Sequence, residues 1–125
     1  MPNTEKIKIF TDLDAWKEGH RLVLAVYEMT KAFPKTELFG LVSQMRRCVV
    51  SITSNIAEGF SRKSYREKAQ FYAISNGSLT ELQNQLIIAK DIKYITQQKF
   101  ETASEQAIKV KMILGGLIRK TKSYS

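Results

Sequence analysis

The chain has 125 residues, enough for one domain with a real hydrophobic core, and its 43% apolar and 26% charged residues are ordinary for a globular protein. A formal charge of +8 favours an anionic partner such as nucleic acid, an acidic protein or a membrane surface, although a protein that is merely basic fits equally well. One histidine and one cysteine exclude a structural zinc site and an internal disulfide, and no apolar run approaches the length that spans a bilayer.

Residues 1–10 are predicted to be a short polar N-terminal arm, and helical periodicity begins after them. Thr11 or Asp12 is the expected N-cap of helix one, and Pro34 ends it because the residue before a proline avoids helical geometry. The helix carries two apolar stripes, which are Trp16, His20, Val23 and Tyr27, and Leu22, Val26, Met29 and Phe33. A helix that is apolar on two sides has more surface to bury than one bundle core can cover. This indicates that helix one lies deep in the protein or forms an oligomer contact.

Helix two is predicted to start after Thr36 as its N-cap and to end at Glu58, with Gly59 as the C-terminal cap. Its apolar face repeats at helical spacing at Met45, Val49, Ile52 and Ile56. A second stripe is polar, without the lysines and glutamates typical of a wet face, and consists of Gln44, Arg47, Ser51, Asn55 and Glu58. Such side chains suit a half-buried face on which polar groups have fixed partners.

Helix three is predicted to begin after Ser64, with Glu67 at the spacing of a capping box. Its inward residues are predicted to be Phe71, Ile74, Ser78, Leu82, Leu86 and Ala89. Gly77 interrupts this helix, and a small residue at such a site often allows a neighbouring helix or ring to approach closely.

Thr96 is the predicted N-cap of helix four. The apolar residues of that helix keep spacings of three and four, at Phe100, Ala103, Ala107, Val110, Leu114 and Leu117. The basic segment after Gly115-Gly116 is expected to fray, so that residues 11–120 form the domain and residues 121–125 a basic C-terminal tail. Four amphipathic helices with short connections and no convincing strand predict an all-α fold, an antiparallel up-and-down four-helix bundle.

Catalytic and metal chemistry have little support in this sequence. Lys17 stands three residues before His20, so the Glu-x-x-His motif of metal-binding bundles is absent. We interpret His20 as a packed structural residue and Cys48 as a reduced core thiol, which fits a cytoplasmic protein without a signal peptide. We therefore expect no enzyme, no cofactor and no metal ion.

Basic residues gather in two places. The first cluster surrounds the turn between helices two and three and comprises Arg62, Lys63, Arg66 and Lys68. The second lies on the last helix and its tail and comprises Lys109, Lys111, Arg119, Lys120 and Lys122. Both clusters are candidates for neutralising the phosphates of RNA or DNA, although a solvated helix end has the same composition because cations favour helix C-termini. Aromatic interleaving is thin, with Phe60 and Tyr65 near the turn and Tyr124 in the tail, so stacking on single strands has weak support.

A network of polar side chains is predicted between helices two and three. Antiparallel packing makes their polar stripes candidates to meet, and a buried arginine needs a carboxylate partner. We expect Glu81 to reach Arg46 or Arg47, in preference to a role in acid–base catalysis. The expected members are Gln44, Arg46, Arg47, Ser51, Asn55, Glu58 and Glu81.

Through several of these residues the sequence resembles the family of 23S rRNA-intervening-sequence proteins. The most specific match is the run Ser54-Asn55-Ile56-Ala57-Glu58-Gly59, and further matches are Asp12-Leu13, Trp16, Phe33-Pro34, Gly40-Leu41, Arg46-Arg47 and Gly77-Ser78. The resemblance implies a four-helix bundle that assembles into a ring-shaped homo-oligomer, with a pentamer as the expected size. It also implies kinship with accessory proteins of diversity-generating retroelements, which bind a reverse transcriptase and nucleic acid. No enzymatic activity is attached to the family.

Two hypotheses for the function follow. The first is a non-enzymatic, ring-forming scaffold that binds RNA or DNA through its basic surface patches. The alternative is an adaptor for an acidic protein partner, such as a reverse transcriptase or a ribosome-associated factor. Membrane binding through helix one is disfavoured because that helix lacks a face rich in lysine and arginine.

Overall fold

A computed structural model describes residues 6–125, and residues 1–5, half of the predicted arm, lie outside the described part. A 3₁₀ turn at Phe10–Asp12 precedes α1 (Asp14–Thr30), and a second 3₁₀ turn at Lys35–Glu37 precedes α2 (Leu41–Ser61). The two longest helices follow, α3 (Tyr65–Asp91) and α4 (Gln97–Ser123), and no strand occurs within residues 6–125.

Each helix packs against two neighbours in the cycle α1–α2–α3–α4, so α1 lies diagonally opposite α3, and α2 lies diagonally opposite α4. Short connections make successive helices antiparallel. The predicted all-α four-helix bundle is therefore confirmed. Every helix contributes side chains that are completely buried in the shared core, among them Leu22, Val26, Met45, Ile52, Leu82, Leu86, Val110 and Leu114.

The start of α1 differs from the prediction. Its N-cap is Leu13, which has no side-chain cap bond, rather than Thr11 or Asp12. The carboxylate of Asp12 instead accepts hydrogen bonds from the backbone N–H groups of Lys8 and Ile9, at 2.9 and 3.1 Å. Asp12 thus closes the turn that precedes the helix, because its side chain finds backbone donors upstream rather than downstream.

The start of α2 also lies further along the chain than predicted. The helix begins at Leu41, and Thr36 belongs to the preceding 3₁₀ turn. Glu37 accepts a hydrogen bond from the backbone N–H of Leu41 at 3.0 Å and a second from the hydroxyl of Tyr94 at 2.8 Å. These two bonds hold the pKa of Glu37 below its usual range. The Glu37 side chain therefore caps the start of α2 and also ties this helix to the segment between α3 and α4.

The N-caps of α3 and α4 agree with the prediction. Ser64 Oγ accepts a hydrogen bond from the backbone N–H of Glu67, and Thr96 Oγ1 accepts one from that of Lys99, each at 3.1 Å. At these two starts the capping pattern in the sequence was sufficient, because the cap and its donor lie three residues apart.

The inward face of α3 is correct in its second half and wrong in its first. Leu82, Leu86 and Ala89 are fully buried as predicted. In the first half the buried residues are Tyr72, Ser75 and Leu79 rather than Phe71, Ile74 and Ser78. Ser75 is buried because its hydroxyl donates a hydrogen bond of 2.7 Å to the carbonyl of Ile52 in α2. A buried serine with a backbone partner is not visible in a hydrophobic pattern.

Neither of two glycines has the role that we predicted for it. Gly59 is not a C-terminal cap, since α2 continues to Ser61, and it is buried beneath the ring of Tyr72. A Cβ at position 59 would lie 2.7 and 2.9 Å from two ring carbons of Tyr72. Gly77, where we expected a close approach, has no atom within 4 Å of the position that a Cβ would occupy. Gly59 is thus the point at which α3 approaches α2 closely.

The last helix extends beyond the point at which we expected a frayed tail. Residues 121–123 belong to α4, and Thr121 is buried, with its hydroxyl donating to the carbonyl of Leu117 at 2.7 Å. The ring of Tyr124 packs against that of Tyr65 at the start of α3, with 5.1 Å between ring centroids. Tertiary contact therefore holds these turns, which basic composition alone does not reveal. No helix within residues 6–125 has both the length and the apolar character required to cross a bilayer.

We expect the change Gly59→Ala to destabilise the protein by about 1–3 kcal/mol, because the new methyl group has no space beside the buried Tyr72 ring. The matched change Gly77→Ala places a methyl group in solvent and should stabilise the protein by about 0.5–1 kcal/mol. Urea unfolding of both variants measures these differences. Equal stabilisation by the two changes would contradict the close packing of α2 and α3 at Gly59.

Candidate functional site

Three segments of the chain meet at one end of the bundle. They are the turn between α2 and α3, the last turns of α4, and the segment that leads into α1. The Tyr65–Tyr124 contact fixes the start of α3 beside the end of α4. Lys6, Lys17 and Lys120 line a common surface cleft, which joins the start of α1 to the same region.

We call this region the basic end. It carries ten lysines and arginines, which are Lys6, Lys8, Lys17, Arg62, Lys63, Arg66, Lys68, Arg119, Lys120 and Lys122. Its four acids are Asp12, Asp14, Glu58 and Glu67, which leaves a net charge of +6. The rest of the described chain holds ten basic against seven acidic side chains. The two basic clusters of the sequence are thus largely one surface, and the net charge of the protein is concentrated there.

The fold itself uses two of the four cations at the α2–α3 turn. The guanidinium of Arg62 donates to Glu58 Oε2 at 2.8 Å and lies 4.5 Å from the ring centroid of Phe71. Lys68 Nζ donates at 2.6 Å to the carbonyl of Phe60, one of the last carbonyls of α2. Both side chains are therefore already bonded at the end of α2, and a ligand would have to compete with these bonds.

Lys63 and Arg66 complete this turn and differ from their neighbours. Both are exposed, and neither side chain forms a hydrogen bond or an ion pair with any residue in 6–125. On α4, the side chains of Lys120 and Lys122 are likewise exposed and without a partner within residues 6–125. The Arg119 side chain instead lies back along the helix beside Gly115 and Gly116.

Lys109 and Lys111 do not belong to the basic end. Lys109 Nζ lies 3.5 Å from Glu18 Oε1, which joins α4 to α1. Lys111 donates to Asn76 Oδ1 at 3.3 Å and to Thr80 Oγ1 at 3.0 Å, which joins α4 to α3. Both lysines brace the bundle along its length, although the sequence placed them with the phosphate-binding candidates.

The polar stripe of α2 meets α3 in a seam of hydrogen bonds. Ser51 Oγ lies 2.9 Å from Ser78 Oγ, and Asn55 Nδ2 donates to the carbonyl and the hydroxyl of Ser51 at 2.8 and 3.0 Å. The thiol of Cys48 donates to the carbonyl of Ser78 at 3.0 Å. We call Cys48, Ser51, Asn55, Ser78 and Glu81 the polar seam. Ser78 was missed as a member because its spacing suggested a core position.

The predicted pairing of Glu81 with an arginine is wrong. Arg46 Nε donates to Thr30 Oγ1 at 2.9 Å, and its guanidinium lies 4.7 Å from the ring centroid of Tyr27, so Arg46 faces α1. Glu81 reaches the thiol of Cys48, at 3.7 Å, and no ion pair joins it to Arg46 or Arg47 within residues 6–125. Successive residues of a helix point about 100° apart, so the two sides of α2 carry different residues. Arg46 lies on the side that faces α1, whereas Cys48 and Ser51 lie on the side that faces α3.

The remaining members of the predicted network are peripheral. Gln44 and Arg47 are exposed, and their side chains form no hydrogen bond within the described chain. Glu58 is also exposed, and within residues 6–125 its carboxylate forms only the i,i+4 pair with Arg62, which contributes about 0.3–0.5 kcal/mol. Of the seven predicted residues, the structure brings together three, which are Ser51, Asn55 and, through Cys48 and Ser78, Glu81.

The lone cysteine and the lone histidine sit in structural environments. Burial, together with the Glu81 carboxylate, raises the pKa of the Cys48 thiol to about 12, so the thiol stays protonated at neutral pH. The imidazole of His20 stacks on Trp16, with 4.7 Å between ring centroids and 10° between planes. Across residues 6–125 no three or more His, Cys, Asp and Glu side chains gather as metal ligands would. The absence of enzymatic activity stays a prediction.

Comparisons with known proteins give a consistent family and fold. The family model described as 23S rRNA-intervening sequence protein matches residues 11–116. The fold is similar to the crystal structure of a protein of unknown function from the S23 ribosomal protein family of Bacteroides thetaiotaomicron, with a TM-score of 0.78 and 18% sequence identity. That match covers 84% of this chain and 95% of the other. None of the curated proteins matches the sequence.

We expect Cys48 to react with Ellman's reagent far more slowly in the native protein than in urea at the same pH. A rise in pKa from 9.0 to about 12 lowers the reactive thiolate fraction by about a thousandfold. Glu81→Gln should increase the native rate, because it removes the charge that disfavours the thiolate. Glu58→Gln, at a carboxylate of α2 that does not contact Cys48, should leave that rate unchanged. Equal native and unfolded rates would contradict this environment.

Proposed function

The chain belongs to the 23S rRNA-intervening sequence protein family, and we propose that it is a non-enzymatic helical scaffold that binds RNA or DNA through backbone phosphates at its basic end. The observation that carries this proposal is the convergence of basic residues from three chain segments on one surface with a net charge of +6. A nucleic-acid backbone is a polyanion that a surface of this charge attracts.

The contact residues in this proposal are Lys63, Arg66, Lys120 and Lys122. Their side chains have no partner within residues 6–125, so a phosphate would not have to displace an existing bond. Arg62 and Lys68 contribute to the field of the surface but remain bound to Glu58 and Phe60. Neutralising phosphates with such side chains releases counterions, which makes binding steeply dependent on salt and nearly independent of sequence.

A salt series with a structured RNA tests this assignment. Replacing Lys63, Arg66, Lys120 and Lys122 by serine should weaken binding at low salt and lower the slope of log K against log salt by about one for each lost contact. A control variant replaces Arg21, Lys31, Lys35 and Lys99 by serine, which removes the same charge outside the basic end. The control should bind RNA almost as the natural sequence does.

Two results would overturn the proposal. Absence of RNA and DNA binding at low salt would reject a nucleic-acid scaffold altogether. Equal losses in the two variants would show that net charge, and not the basic end, governs binding.

We further propose that copies of the chain assemble head to tail into a ring-shaped homo-oligomer, for which the family resemblance suggests a pentamer. Phe39 is 93% exposed and stands beside the exposed Leu38, which is costly for a monomer in water. Next to them a groove of about 600 Å³ runs along α2 and is lined by Val42, Val50, Arg46, Arg47 and others. This surface offers apolar area together with two arginines.

A complementary surface lies on α4, diagonally across the bundle. Glu101, Glu105, Ile108 and Met112 recur at spacings of three and four, so they share one exposed face, and Met112 is 71% exposed. Apolar groups and arginines on α2 would meet apolar groups and glutamates on α4 of the next copy. A contact between two different surfaces is heterologous and closes into a ring when the rotation permits.

We expect Phe39→Ser to shift the protein towards monomers in sedimentation and light-scattering measurements, because it removes the largest exposed apolar group of the contact. Ile74→Ser, at a residue 52% exposed on α3, is the matched control and should leave the assembly intact. Arg47→Glu and Glu105→Lys should each weaken assembly, and the double variant should restore it. A natural sequence that remains monomeric at high concentration would reject this proposal.

The alternative is an adaptor for an acidic protein, such as a reverse transcriptase or a ribosome-associated factor. A cleft of about 890 Å³ between α1 and α4 favours it, with an apolar floor that includes Met29 and Ala103 and with Arg21 and Lys99 at its edge. An amphipathic acidic segment fits such a cleft. Under this alternative the control variant above should lose the protein partner, whereas the variant of Lys63, Arg66, Lys120 and Lys122 should keep it, which separates the two hypotheses.

A further inference from the structure

Two tyrosines, one at the start of α3 and one just after the end of α4, form an exposed aromatic contact at the basic end. The rings of Tyr65 and Tyr124 lie 5.1 Å apart between centroids and are inclined by 43°. Tyr65 is 46% exposed and Tyr124 is 56% exposed, whereas the core tyrosine, Tyr72, is 2% exposed. Because the two rings are inclined and half exposed, each keeps part of its aromatic surface in solvent. Neither ring belongs to the hydrophobic core.

The tyrosine pair lies among the cations to which we assign phosphate binding. Tyr65 directly precedes Arg66 in the first turn of α3, and Tyr124 follows Lys122 after the last turn of α4. Lys63 and Lys120 lie in the same two regions of the chain. An aromatic platform with cations on both of its flanking segments is the arrangement by which proteins hold single strands, since the bases stack while the phosphates are neutralised.

We propose that Tyr65 and Tyr124 form a stacking platform for an unpaired nucleobase, so that the basic end prefers single-stranded nucleic acid to a duplex. This inference rests on the phosphate binding proposed above and specifies its ligand. A base in a duplex is already stacked between its neighbours, and only an unpaired base can leave the strand to lie on a tyrosine ring. Every base has an aromatic face, so the platform carries little sequence preference and accepts RNA and DNA alike.

The individual tyrosines gave only a weak indication in the sequence because they stand 59 positions apart. The platform exists only because α3 begins where α4 ends. Each ring holds the other in place. Loss of either tyrosine therefore removes one stacking surface and also the contact that positions the second ring.

Fluorescence anisotropy with labelled oligonucleotides of equal length tests the platform. The probes are a single-stranded RNA, a DNA of the same sequence, an abasic DNA with the same number of phosphates, and the corresponding duplex. The test variant carries Tyr65→Leu and Tyr124→Leu, which retain apolar contact but remove the aromatic faces. The control is Leu24→Ala, at an exposed apolar residue of α1 that lies outside the basic end and outside the groove along α2. Thermal unfolding followed by circular dichroism confirms that each variant folds.

The natural sequence should bind the single strands about tenfold more tightly than the abasic strand. The test variant should lose about tenfold in affinity for both single strands and should bind the abasic strand and the duplex as before. The control should match the natural sequence on all four probes.

Equal affinity of the natural sequence for abasic and ordinary single strands would overturn the stacking platform and leave phosphate binding standing. A loss in the test variant that is the same for all four probes would overturn it as well, since it would reflect damage to the surface and not lost stacking. A loss confined to RNA would assign the effect to the 2′-hydroxyl and also reject stacking. No binding of any probe at low salt would reject the proposed function itself, and this inference with it.

Discussion

The close approach of α2 and α3 at Gly59 is the constraint on which the rest of the architecture depends. The ring of Tyr72 occupies the space that a side chain at position 59 would fill, and Ser75 donates to the carbonyl of Ile52 one turn further along α3. Both contacts need small groups at the interface, because helices pack closely only where side chains allow it. They set the rotation of α3, and this rotation decides which residues enter the core.

The same contact explains the residues on which the family resemblance rests most. Within the run from residue 54 to residue 59, Ile56 is buried in the core, Asn55 bonds to Ser51, Glu58 pairs with Arg62, and Gly59 lies beneath Tyr72. Ile56 and Gly59 pack α2 against its neighbours, whereas the bonds of Asn55 and Glu58 lie within α2 and its C-terminal cap. The most recognisable stretch of the sequence is therefore architectural, and the surface with the strongest charge lies beyond it.

The cations of this protein divide into two groups with different physical roles. Some, such as Lys68, Lys109 and Lys111, bind carbonyl, carboxylate or hydroxyl oxygens of neighbouring segments. Others, such as Lys63 and Lys120, extend from the basic end without a partner in the described chain. A cation that is already bound must break a contact before it meets a ligand, so charge in the sequence overstates the charge available for binding. The proposed phosphate surface rests on the second group.

The sequence by itself determined the number and type of helices, the caps at Ser64 and Thr96, and the cores of α2 and α4, because these depend on residues three or four positions apart. It also identified the basic clusters as candidates for phosphate binding. Only the tertiary structure decided that Arg46 faces α1, that Lys109 braces the bundle and that Tyr65 meets Tyr124. These partners lie far apart in the chain, and their meeting depends on the rotation and length of whole helices, which local periodicity does not specify.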